Sequence, residues 1–127
     1  LSFFQTYDAV DFNYKTDDKE YIIYSLSGIL IYEYNINECY SKLDEIISEL
    51  KLLFRDAEFS DKEILPHPND PEGEKGTSRV TIASFYLETG TIDIACYDYS
   101  EKHGSQDHLN ISIDSYEFSQ WLLSNPY

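Results

Sequence analysis

Between Asn37 and Phe54 the apolar residues take up a helical spacing that the runs before and directly after lack. Tyr40, Leu43, Ile46, Ile47, Leu50, Leu53 and Phe54 fall on one stripe, and Glu38, Asp44, Glu45, Ser48, Glu49 and Lys51 cover the rest. Such a pattern predicts one amphipathic helix with a wide apolar face to bury. Asn35 or Asn37 is placed to cap its start, where Glu38 suits the positive end of the helix dipole.

The flanking segments supply the sheets that would bury that stripe. Val10, Phe12 and Tyr14 alternate with Asp11 and Asn13, and Ser2 to Tyr7 is a shorter candidate. Tyr21 to Leu26 and Ile29 to Tyr34 are β-branched and aromatic runs around Ser27-Gly28, which predicts a hairpin. Beyond the helix, Glu58 to Leu65, Arg79 to Leu87, Thr91 to Tyr99 and Leu109 to Ile113 read as strands. Residues 66 to 78 form a flexible loop by composition, rich in Pro and Gly, of a length that is often functional. Asp114 to Asn125 reads as a second helix, with Asp114 and Glu117 in capping-box spacing and Phe118, Trp121 and Leu122 as its apolar face.

The expected fold class is therefore α+β: two antiparallel β-meanders each followed by a helix, ββββα-ββββα, in a single domain over residues 1–127. That order resembles the Whirly-type single-strand nucleic-acid-binding fold, a likeness of topology alone, which does not carry function.

Charge argues against the nucleic-acid function. The 127 residues hold 24 Asp and Glu against 9 Lys and Arg, a net charge of −15, together with 12 Tyr, 7 Phe and 1 Trp. Phosphate backbones are bound by releasing counterions to Lys and Arg, and residues 80–127 contain only Lys102 against seven acids. A disordered acidic tail would lack the aromatics. The combination describes a folded, strongly negative surface that repels nucleic acid and anionic membranes and draws in basic partners. No run approaches the roughly 20 apolar residues of a membrane span.

Cys39 and Cys96 sit within apolar patterns and in no CxxC or metal-ligand spacing, so they are expected to be buried free thiols of a cytoplasmic protein. The chain starts at Leu1 and contains no Met, from which a short upstream segment is expected.

Chemistry at a catalytic site finds few carriers. His67, His103 and His108 belong to loops or their margins, with no HExxH or Cys/His cluster, and there is no GxSxG, phosphate loop or EF-hand spacing. No enzyme, cofactor or metal is expected. A minority reading remains in which His103 and His108 approach each other to serve a small ligand or a reaction. Carboxylates beside tyrosines are more telling, because rings take the stem or guanidinium face of a basic side chain while carboxylates take its charge. The expected partner surface is Asp93, Tyr97, Asp98, Tyr99, Glu101 and Asp107, joined by the loop acids Asp70, Glu72 and Glu74.

The segments VTIASFYLETGTIDIACYDYS and LNISIDSYEFSQWL, residues 80–100 and 109–122, resemble the strand–turn–strand and strand–helix ending of some CdiI-type immunity proteins of bacterial contact-dependent growth inhibition. The resemblance implies a protein that binds a cognate toxin domain, commonly a basic nuclease acting on RNA, in a 1:1 complex that covers the toxin's substrate groove. A general acidic interaction module or nucleic-acid mimic is the alternative reading.

Overall fold

In the computed structural model, residues 6–14, 23–33, 35–67, 78–100 and 104–124 are described. The elements run β1 (Ala9–Tyr14), β2 (Ile23–Ile31), α1 (Ile36–Leu53), β3 (Glu58–Pro66), β4 (Arg79–Tyr86), β5 (Gly90–Asp98), β6 (His108–Ser115) and α2 (Tyr116–Ser124). All six strands join one antiparallel sheet in the order β1-β2-β6-β5-β4-β3. The chain is thus an α+β domain in which β3 to β6 form one meander and β6 closes against β2.

This corrects the expected ββββα-ββββα order to ββαββββα, and with it the Whirly-like topology. The first half contributes two described strands, because Ser27-Gly28 is no turn. β2 runs straight through it, with Gly28 opposite Val10 of β1 and Ile111 of β6. Ladder partners on both sides outweigh the local turn signal. Of the expected strand over Ser2–Tyr7, residues 1–5 lie outside the described residues and Thr6 is helical.

α1 starts as the sequence predicts. Asn35 caps it, its side-chain oxygen accepting a hydrogen bond from Asn37 N at 3.1 Å, and Glu38 sits in the first turn. As the crossover from β2 to the far edge strand β3, α1 lies across one face of the sheet. Cys39, Leu43, Ile46 and Ile47 pack there on Ala83, Phe85, Ile92, Ile94, Cys96 and Leu109. Leu53, expected on the stripe, is 73% exposed in the last turn, while Phe54 turns inward beyond the helix end. Two contacts draw β3 to α1: Lys62 pairs with Asp44, and Lys51 lies 4.3 Å over the Phe59 ring.

Cys39 and Cys96 form a disulfide, which corrects the expectation of free thiols. Cys39 lies in the first turns of α1 and Cys96 near the end of β5, facing it, so two apolar patterns that converge also bring the sulfurs together. The bridge spans 57 positions of sequence and pins the helix to the centre of the sheet.

At the other end of β5 the turn after Leu87 closes with Leu87 N donating to the Gly90 carbonyl at 2.8 Å. A Cβ on Gly90 would collide with the Asp114 carbonyl oxygen, so only glycine lets β6 come this close. α2 is capped one residue later than expected: Ser115 Oγ accepts from Phe118 N at 3.1 Å. Asp114 instead stays in the strand, where its carboxylate accepts from Ser25 and Ser112. Phe118 is half-buried, and the side chains of Trp121 and Leu122 lie outside the described ones.

Candidate functional site

Strand alternation places Ile92, Ile94 and Cys96 under α1, and therefore Asp93, Ala95 and Tyr97 on the other side of β5. Tyr97 stands in register with His108 of β6 and Val80 of β4. Its ring stacks on that of His108, centroids 4.6 Å apart and planes at 12°. Two residues on, Tyr99 joins the same row, 6.1 Å from Tyr97 at 15° and 5.8 Å from His108. His67, whose N–H donates to the Ser78 carbonyl just past the end of β3, brings a fourth ring to 5.2 Å from Tyr99 and 5.9 Å from Tyr97. Four rings from the ends of three strands thus form one half-buried cluster.

Hydrogen bonds hold this arrangement in place. His108 Nδ1 donates to the Gln106 carbonyl at 3.0 Å, which leaves Nε2 as the acceptor in the neutral ring. Asp107 Oδ1 accepts from Tyr99 N at 2.8 Å, and the Asp107 carbonyl accepts from Tyr32 N at 2.8 Å. Gly104, with φ +74°, lets the loop before β6 turn back toward these contacts. Burial raises the Tyr97 hydroxyl pKa, with further upward pushes from Tyr99 and Asp93. For Tyr99 burial again leads and Asp107 adds to it. Both phenols therefore stay protonated at neutral pH.

The carboxylates expected beside these tyrosines divide into three groups. Asp107 reaches the Tyr99 backbone N, but the β5–β6 register sets it opposite Asp98, and it acts on Asp98 and Tyr40 of the α1 side as well as on Tyr99. Asp98 falls on the α1 side, opposite Arg79 in register; burial and Asp107 raise its pKa and Arg79 lowers it. Asp93 is on the ring side but four positions from Tyr97, roughly 13 Å along the strand. It accepts a hydrogen bond from Ser84 Oγ, and burial, helped by Asp114, lifts its pKa against that bond. Side chains on one strand alternate in direction, so adjacent acids and tyrosines in the sequence do not make a single patch. Glu101, Asp70, Glu72, Glu74 and His103 lie outside the described residues, as does most of the expected 66–78 loop.

The sequence patch missed the two histidines of the cluster. The loop spacing of His108 suggests His103 or Asp107 as its neighbour, whereas the register of the β5–β6 hairpin pairs it with Tyr97. His67 carries no signal at all, since it arrives through the β3–β4 pairing 30 residues away from Tyr97.

Other concavities offer less chemistry. A cavity of about 430 Å³ near the start of α1 is lined by Tyr32, Asn35, Asn37, Glu38, Ser41, Lys42 and Glu45, where Lys42 already pairs with Glu45. Among the described residues no group of three or more His, Cys, Asp or Glu is placed to hold a metal ion, and no helix is long and apolar enough to cross a membrane. No family model, curated protein or solved structure matches this chain.

Proposed function

We propose that this chain binds and neutralises a basic protein domain, as an immunity protein does with its cognate toxin. The observation that carries the reading is an acidic excess left largely uncompensated within the chain. Among the described residues Lys42 and Lys62 pair with Glu45 and Asp44, and over the whole chain 24 acids against nine bases give a net charge of −15. A partner of opposite charge is drawn to such a field quickly, and complementary charge favours it over other partners. The toxin domain would most naturally be a nuclease, because a surface that binds RNA is cationic and is blocked by a competing polyanion.

The bridge bears on the compartment. Disulfides persist where the surroundings are oxidising and are rare in reducing cytosol. The cytoplasmic expectation rested on free thiols, and the Cys39–Cys96 disulfide favours an oxidising compartment in its place.

The decisive experiment mixes the purified protein with the product of the neighbouring gene. A stable 1:1 complex that loses its nuclease activity, and that weakens as salt rises, supports the proposal. A nuclease whose rate is unchanged by excess protein sinks it. Binding to many unrelated basic proteins with similar affinity would favour a general acidic module.

A further inference from the structure

We infer that the edge strand β1 takes up an extended segment of the basic partner as a seventh strand, one whose residues alternate between apolar and basic. The inference rests on the proposal of a basic partner and names the part of this chain that grips it.

Register across the sheet sets the pattern of that strand. Phe59, Phe85, Ile92, Ile113, Leu26 and Phe12 stand opposite one another in turn, so one apolar row crosses all six strands on the α1 side. Phe85 and Ile92 are 1% and 2% exposed, whereas Ile113 is 45% and Phe12 51% exposed. The row therefore runs out from under α1 and ends half-exposed at the edge. On the opposite face the adjacent row is Ser60, Ser84, Asp93, Ser112, Ser27 and Asp11, every member a hydroxyl or a carboxylate. A strand added beyond β1 continues both rows, with an apolar residue beside Phe12 and a polar one beside Asp11.

Charge decides what the polar residue is. Asp8 and Asp11 are exposed, and among the described residues each meets only a backbone donor: Asp8 Oδ2 accepts from Ile31 N at 2.7 Å and Asp11 Oδ1 from Phe12 N at 2.9 Å. A carboxylate has lone pairs for further donors, which Lys or Arg supplies. With a net charge of −15, a second copy of this chain is repelled from the edge and a cationic segment is drawn to it.

The two edges of the sheet are not equivalent. β3 carries devices that blunt an edge: a break in register between Ser60 and Glu63 that holds Lys62, and Pro66 at its end. β1 has neither Lys nor Pro, and its register shifts only at Asn13/Tyr14. Among the described residues Ala9 to Asn13 pair with β2 alone. Main-chain hydrogen bonds at such an edge supply affinity, and the alternating side chains supply selectivity.

Two octapeptides of one composition test the inference by calorimetry at fixed salt: Lys and Val in strict alternation, and a block of Lys followed by a block of Val. The native protein is expected to bind the alternating peptide about tenfold more tightly, the worth of a few favourable cross-strand pairs. The bound peptide should slow amide exchange over residues 9–13 and not over β3. Asp11→Lys is expected to weaken the alternating peptide about tenfold, and Glu63→Lys on β3, an equal change of net charge, no more than about twofold. Phe12→Thr keeps a strand-forming residue and should bring the two peptides within about twofold, with the circular dichroism of the native fold. Equal affinities in the native protein, protection of β3 in place of β1, or equal losses from Asp11→Lys and Glu63→Lys would overturn the inference. So would a dimer of the free protein that Phe12→Thr dissolves, since β1 would then serve a second copy. If both peptides bind equally and in a salt-dependent way, the basic-partner proposal stands and only the added strand fails. If neither binds, the added strand fails and the nuclease assay alone decides the basic-partner proposal.

Discussion

β5 shows two different solutions on its two sides. Toward α1 it presents Ile92, Ile94 and Cys96, at 2%, 0% and 0% exposure, locked by apolar packing and a covalent bridge. Toward the other side it presents Asp93, Ala95 and Tyr97, of which the first is held by a serine and the last by stacking on His108. Burial of apolar surface is non-directional and tolerates only small changes in volume. Hydrogen bonds and ring stacks are directional and weaker, and they leave polar atoms for a partner to meet. The comparison teaches that one strand is locked by packing and a bridge on one side and held by directional polar and ring contacts on the other.

If that division is real, perturbing the α1 side should cost more stability than perturbing the ring side. The largest effect is expected from reducing the disulfide. In the chain-entropy account, a closed loop of this length is worth about 4 kcal/mol, and the loss is read from urea unfolding with and without reductant. Next, Ile94→Ala should cost about 3 kcal/mol, as a fully buried branched side chain leaves a cavity. A much smaller cost would mean that the core under α1 is loosely packed.

On the ring side, Ser84→Ala should cost about 1 kcal/mol by removing the donor to Asp93. A loss as large as that of Ile94→Ala would break the comparison. The smallest effect is a matter of sign. Burial raises the Asp93 pKa in the folded state, so folding favours the neutral acid. Its favourable contribution is present below the ordinary carboxylate range, about pH 4, and is lost as pH rises through the raised value. Asp93→Asn should therefore be more stable than the native protein at pH 7 and equal to it near pH 3, as measured by thermal melts. A native protein more stable than the variant at pH 7 would reverse the assignment of burial as the dominant cause.

Several features were legible in the residues alone. The stripe through Leu43, Ile46 and Ile47 identified α1 and offered Asn35 or Asn37 as its cap, of which Asn35 holds the position. Alternation in β5 separated Ile94 from Asp93 correctly. The failures share a cause. Ser27-Gly28 has the composition of a turn, but strands on both sides pair through it. Asp114 has the spacing of a cap, but its carboxylate is taken by Ser25, 89 residues earlier. Cys39 and Cys96 have no paired spacing, because their meeting depends on where a crossover helix lands. The expected partner residues do not share one face, because Asp98 and Tyr97, neighbours in the chain, point to opposite faces.

What the sequence determined by itself is whatever depends on near neighbours or on sums. Helix and strand periods are set within a few residues, and net charge is additive whatever the fold. Tertiary structure decided which strands pair, which thiols join and which rings meet. Those outcomes require distant segments to close on one another, and a local pattern carries no information about the segment that will arrive beside it. The stack of Tyr97 on His108, with His67 and Tyr99 at its flanks, exists only because the ends of three strands converge at one end of the sheet.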